Sequence, residues 1–289
     1  MKVATWRGES RFTIDEVADP VAGPGQVVVG IHTAGICGSD VHATQGLFPF
    51  TPPMVLGHEY TGTVREVGRG VSRRLVGRAV ACEPSYGCGE CAECEAGRVS
   101  QCPRCVRIGG FAERVVLPAS CVHPLPRGLD PVTAAMTEPA ACCLNGVEMF
   151  PMPRGATVLV IGGGIMGLLT LVLARRRGAR RTILSDPIEE RRLIARRLGA
   201  HVVVDSLRES LRDRVMALTR GRGADVVCEA VGKPELVAEA MTLVKPTGIV
   251  QLVGVSPKGA HFPLEQIGEA FAHAAAGHGA KTVITPGGA

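Results

Sequence analysis

The sequence predicts an α/β chain in two parts: a compact β-rich domain, then a doubly wound parallel sheet with helices on both faces. Three observations lead there. Up to about residue 150 the chain is rich in Gly, Pro and short β-like runs. From Pro151-Met152-Pro153 onward, apolar strands alternate with helical stretches. The 289 residues are 46% hydrophobic and 20% charged, enough for two medium domains with real cores and unlike a disordered chain.

In the first part, residues 26–31, 61–64 and 112–117 read as strands, separated by turn signals such as Gly23-Pro24-Gly25 and Pro52-Pro53. In the second, strands are predicted at 158–161, 182–184, 202–204, 226–228 and 249–253, with helices at 189–198, 207–218 and 234–244. A last helix over 264–276 and a short strand over 281–284 complete the chain. The predicted division is therefore 1–150, 151–262 and a tail over 263–289 that returns to the first domain. No internal repeat or low-complexity segment appears.

The charge balance excludes some function classes. Lys and Arg number 32 against 27 Asp and Glu, and a net +5 is too small and scattered for a nucleic-acid protein. The densest run, Arg175-Arg176-Arg177 with Arg180-Arg181, reads as a solvated helix end, because aromatic residues to stack on bases are scarce at 3%. Residues 156–174 carry no charge and Gly163-x-x-x-Gly167 mimics a membrane-dimer motif, but Gly162-Gly163-Gly164 would interrupt a span. Strand, tight turn and helix fit better. The start Met1-Lys2-Val3-Ala4-Thr5-Trp6-Arg7 shows no secretory pattern, so a cytoplasmic location is expected, with the 11 cysteines as metal ligands or core residues.

Three constellations carry chemistry. Cys88-x2-Cys91-x2-Cys94-x7-Cys102 puts four thiols within fifteen residues, which suits one tetrahedral structural Zn²⁺. Cys105 is an alternative fourth ligand on spacing, and Cys102-Pro103 hints at an iron–sulfur cluster whose last spacing is too long. The second set is dispersed: Cys37-Gly38-Ser39-Asp40-Val41-His42, Gly57-His58-Glu59 and Glu138-Pro139. Cys37, His58 and a carboxylate are the donor set of a catalytic zinc, and Ser39 and His42 can carry a proton away. Cys142, one helical turn past Glu138, is a further candidate for that site. The third runs from Val158 to Ile161, then Gly162-Gly163-Gly164-Ile165-Met166-Gly167, a glycine turn between strand and helix that can cradle a pyrophosphate. Asp186 follows Gly164 by 22 residues, where a carboxylate can accept bonds from an adenosine ribose; Arg191 and Arg192 lie close by.

In this order the motifs resemble those of the zinc-dependent medium-chain dehydrogenases, the alcohol, polyol and threonine dehydrogenase family, over nearly the whole chain. The resemblance implies a GroES-like catalytic domain, a Rossmann coenzyme domain and an active site in the cleft between them. It implies two zinc ions per chain, with Cys37, His58 and Glu138 at the catalytic one and Glu59 as ligand or neighbour. It places Gly162, Gly164, Ile165, Met166, Gly167, Asp186, Arg191 and Val253 at the coenzyme, NAD rather than NADP. Glu138, where the alcohol-dehydrogenase branch has cysteine, points to the polyol and threonine branch.

The departures are local. Residues 102–110 form a shorter link than usual, and Gly77-Arg78 stands where Gly-Asp is common. Val253-Gly254-Val255 is followed within a few residues by His261-Phe262-Pro263-Leu264-Glu265-Gln266, so a sixth Rossmann strand is predicted absent. The family's dimer pairs that strand edge to edge, so a monomer or a different dimer is expected, with a looser nicotinamide pocket. The expected reaction is reversible oxidation of a secondary alcohol, a polyol or sugar alcohol foremost. Competing readings are an L-threonine 3-dehydrogenase-like activity and a zinc- and nucleotide-binding remnant with little turnover.

Overall fold

Alternating valines build the first sheet. In the computed structural model, which describes residues 1–48, 50–149, 152–254, 260–263 and 282–285, the chain divides into two units, Met1–Glu138 and Pro139–Ala289. The first unit holds a five-stranded antiparallel sheet in the order Val122–Pro124, Ala79–Cys82, Glu59–Val67, Gln26–Gly35, Arg114–Pro118. Val27, Val29, Val64, Val80 and Leu117 are fully buried and pack with Tyr60 as its core. β-Branched side chains suit such positions because they pack well against their neighbours on the pleated surface. A smaller sheet of Phe12–Glu16, Lys2–Trp6 and Met54–Val55 stands beside it.

One strand pair in this sheet brings distant residues together. Gln26–Gly35 and Glu59–Val67 run antiparallel with Gly35 opposite Glu59. The residues just beyond Gly35 therefore meet those just before Glu59. A Cβ on Gly35 would overlap the Glu59 carboxylate, so glycine there lets that carboxylate keep its place.

The second unit is a parallel sheet in the order Val202–Val204, Arg181–Ser185, Thr157–Ile161, Ala224–Glu229, Val244–Leu252. Successive residues of the central strand face opposite layers. Val158 and Val160 pack on Leu171 and Ala174 of helix Ile165–Arg176. Leu159 and Ile161 pack on Val215 and Leu243, from helices Leu211–Thr219 and Pro234–Leu243. Both faces are thus covered, as a near-continuous apolar strand requires. The strand order reverses at Thr157–Ile161, so a crevice opens at its carboxyl end, where ligands of such sheets bind.

The uncharged stretch 156–174 is strand, glycine turn and helix, and none of the described helices is long and apolar enough to cross a membrane. The arginine run closes helix Ile165–Arg176, with Arg175 donating to Leu198 O and Arg177 paired to Glu148. In the second unit two element starts differ from expectation by more than a turn or a strand pair. The helix predicted from 207 starts at Leu211, because the Ser210 hydroxyl accepts the Asp213 N–H and caps it there. The strand predicted from 249 starts at Val244, reaching back through an irregularity opposite Ala224–Val226. The units divide before Pro139 rather than at Pro151, because helix Thr137–Glu148 sends Cys143 to Met166 O and Glu148 to Arg177 within the second unit. Strand Thr282–Thr285 pairs in parallel with Ala260–Pro263, apart from the five-stranded sheet. The helix predicted over 264–276 lies outside the described residues.

Candidate metal and coenzyme sites

Cys37 caps helix Gly38–Thr44, two residues past the strand end at Gly35. His58 precedes the paired strand, so the Gly35–Glu59 register delivers Cys37, His58 and Glu59 to one place. Their Sγ, imidazole nitrogen and carboxylate oxygen all lie within 4.8 Å of one another. Gly57 makes this possible with φ +87°, and a Cβ there would strike the Phe111 ring at 2.6 Å.

Asp40 holds the cluster in place. It is 5% exposed, its Oδ1 lies 3.4 Å from His58 Nδ1 and accepts the Gly57 N–H at 3.2 Å, and its Oδ2 accepts the Cys37 N–H at 3.0 Å. A carboxylate on Nδ1 fixes the ring and leaves Nε2 for a metal. Within Cys-Gly-Ser-Asp-x-His, the sequence alone assigned Asp40 no role. Hydrogen bonding to Asp40, then to Cys37, pushes the His58 pKa up to about 10. Burial raises the Glu59 carboxyl pKa; the His58 charge opposes this and the Glu138 charge adds to it.

Ser39 and Glu138 line a cavity of ≈ 360 Å³ together with His58. Ser39 Oγ is 3.4 Å from His58 Nε2. His42 follows Ser39 by three positions on the same helix, stacks on Phe48 at 5.9 Å, and has a buried Nδ1 with no hydrogen-bond partner among the described residues. Glu138 sits in the first turn of helix Thr137–Glu148 and Cys142 is exposed on it.

The four-cysteine lobe also converges. The sulfurs of Cys88, Cys91, Cys94 and Cys102 lie within 4.8 Å of one another, with Cys91 and Cys102 at 3.7 Å. Tetrahedral Zn–S bonds of ~2.3 Å place sulfurs about 3.8 Å apart, so the lobe fits one zinc. Cys105 stands outside this set, its thiol 3.9 Å from Val106 O, and Cys102 is the fourth member of the cluster. The Glu90 N–H, ahead of burial and the neighbouring thiols, brings the Cys88 pKa down to about 6, while, against the Gly89 N–H, burial and the other thiols push Cys94 up to about 11. Ion pairs Glu93–Arg98 and Glu90–Arg104, both 2.6 Å, brace the exposed loop.

In the second unit, Gly162 turns with φ +101° and helix Ile165–Arg176 starts after Gly164. A Cβ on Gly167 would overlap Gly162 O, so only glycine lets helix and strand approach this closely. Asp186, 3% exposed, accepts the Gly163 N–H and the Ile188 N–H, each at 2.7 Å. It therefore also serves as a turn residue. Arg191 Nη1 is 3.5 Å from its Oδ2, while Arg192 donates to the Asp186 backbone O at 2.8 Å and pairs with Asp205 at 2.7 Å. Gly162, Asp186 and Arg191 line one cavity of ≈ 260 Å³, with Ser206 and Lys233 on its wall, neither anticipated from sequence. Ile165 and Met166 open the helix, and Val253 leaves the sheet with its N–H on Glu229 O at 2.8 Å. The glycine turn, the helix start and a buried carboxylate suit a dinucleotide.

Known proteins agree with this chemistry. Residues 23–127 match the alcohol dehydrogenase GroES-like domain, and residues 166–278 match the zinc-binding dehydrogenase domain. A sorbitol dehydrogenase of Halalkalibacterium halodurans is 33% identical over 88% of this chain and 76% of its own. An L-threonine 3-dehydrogenase of Pyrococcus furiosus is 36% identical over 84% of this chain and 72% of its own. A solved structure from Sinorhizobium meliloti 1021 with bound NADP superposes with TM-score 0.83 at 36% identity, covering 99% of this chain and 83% of that one. With its GroES-like and Rossmann units, its two metal-donor clusters and its glycine turn, the chain belongs to the zinc-dependent medium-chain dehydrogenases.

Proposed function

We propose that this oxidoreductase interconverts a secondary alcohol, a polyol or sugar alcohol foremost, and its ketone, with NAD as hydride acceptor. The carrying observation is the Cys37–His58–Glu59 cluster beside a cavity that also presents Ser39 and Glu138. Bound there, zinc supplies Lewis acidity that brings a substrate hydroxyl's pKa towards neutrality. Cys37, His58 and a carboxylate, Glu59 or Glu138, hold the metal. Ser39 takes the hydroxyl proton and His42, one turn along the helix, passes it towards solvent. Gly162–Gly167 and Asp186 would hold the adenosine and pyrophosphate of the coenzyme, which would supply the hydride acceptor. The cysteine lobe holds the second zinc. A reducing cytosol keeps its thiols available, and that is the compartment this reading expects.

The 36% identity to an L-threonine 3-dehydrogenase favours a second reading, oxidation of an amino acid's hydroxyl at the same site. A panel of polyols, sugar alcohols and L-threonine, followed by NADH absorbance, decides between them. Turnover should vanish in His58→Ala; no NADH formation from any alcohol would sink the reading. Asp186 repels a 2′-phosphate and accepts from ribose hydroxyls, so kcat/KM should favour NAD and shift towards NADP in Asp186→Ser. A wild-type preference for NADP would assign the choice to Arg191 instead.

A further inference from the structure

We infer that Arg107 binds an anionic group of the substrate, a carboxylate or a phosphate, while the hydroxyl to be oxidised lies at the Cys37–His58 end; this rests on the alcohol-oxidising reading. The cavity of ≈ 360 Å³ is lined mainly by apolar side chains, among them Phe48, Met54 and Ile108. Its charged lining is Asp40, His58 and Glu138, together with Arg107. Asp40 and His58 are engaged with each other, which leaves Arg107 as the cation offered to a ligand. Its backbone is held by strand pairing, Ser85 opposite Arg107, and its guanidinium stands 5.8 Å over the Phe50 ring. At that distance the cation is within cation–π reach of the ring, a contact that uses none of the guanidinium's N–H donors. Among the described residues no carboxylate lies within ion-pair distance of those donors, whereas Arg98 and Arg104 in the neighbouring lobe are both paired.

A guanidinium fork matches carboxylate and phosphate oxygens two at a time, and because Arg107 is exposed the selectivity comes from this paired geometry more than from a dry setting. With Asp40 engaged by His58, the carboxylates of Glu59 and Glu138 offset the charge of the metal that Cys37 and His58 would hold, so an anion gains most at Arg107. A substrate with one anionic end is thereby oriented: anion on Arg107, hydroxyl towards Cys37 and His58. A neutral polyol fits the same space without that bias.

Matched pairs test this on the zinc-loaded enzyme: L-threonine against L-threoninamide, and sorbitol 6-phosphate against sorbitol. For at least one pair, kcat/KM should favour the anion by about 10- to 100-fold, and the responding pair separates carboxylate from phosphate. Arg107→Gln should collapse that ratio towards one, Arg107→Lys should keep part of it, and Arg73→Gln, in an exposed turn, should leave it intact. Equal use of both members of each pair, or equal losses for both in Arg107→Gln, would overturn the assignment while the dehydrogenase reading stands. If no alcohol reduces NAD, calorimetry with L-threonine and with inorganic phosphate still decides. Binding lost in Arg107→Gln supports the anion site even as the reaction assignment falls, and no Arg107-dependent binding overturns it.

Discussion

Asp40 divides one carboxylate among His58 Nδ1, the Gly57 N–H and the Cys37 N–H. Burial disfavours its charge, but the bonds from His58 and Cys37 prevail and hold the carboxyl below the usual range. It joins the two segments that bring the donors together, so its loss should act on both. Asp40→Ala is expected to weaken zinc affinity and turnover by roughly 10- to 100-fold. Competition with a chromophoric chelator measures the affinity; a wild-type value would show that packing alone orients His58. The sequence placed Asp40 in a motif yet could not assign this work, because Gly57 and His58 arrive from 17 and 18 residues further along. Ser39 and His42, sharing a helical turn, were legible as a pair because that relation is local.

At the scale of elements, the cysteine lobe is short, exposed and poor in core residues. Its two-residue ladder, Ser85–Tyr86 with Val106–Arg107, and its ion pairs offer little on their own. The metal is therefore expected to hold it. Cys91→Ser should lower zinc from two per chain towards one and open the loop over 88–105 to proteolysis, while His58→Ala should lower zinc equally with less effect on the fold. Elemental analysis and limited proteolysis check both. Iron with a visible chromophore would replace the zinc assignment altogether. Spacing made the lobe recognisable, but the choice of Cys102 over Cys105 depended on where the 3₁₀ turn Val99–Gln101 points the chain.

For the whole molecule, Asp225 links three neighbouring strands of the parallel sheet. It accepts the Thr157 N–H at 2.7 Å and the Lys245 ammonium at 2.6 Å. Burial opposes its charge, but the bonds from Lys245 and Thr157 outweigh it, and its carboxyl lies below the usual value of 3.8. A depressed carboxyl stabilises the fold above its unfolded pKa, and that contribution fades as pH falls through the folded value. Asp225→Asn should accordingly cost stability at neutral pH, with the difference from wild type shrinking between roughly pH 5 and pH 2. Denaturant titrations across that range measure it; a constant difference would show that the carboxylate's charge is not what matters. On the far side of Asp225, strand Val244–Leu252 is the last strand of this sheet among the described residues.

The sequence alone determined the two-part architecture, the parallel sheet, the glycine turn and the cysteine lobe. Each is written in short-range terms: apolar period, turn residues, ligand spacing. Only the tertiary structure decided that Glu59 joins Cys37 and His58, that Asp40 orients the imidazole, and that Arg107 stands over Phe50 on the cavity wall. These relations arise from strand register and loop convergence. They pair residues that are distant in the chain, and no local pattern of side chains encodes which will meet.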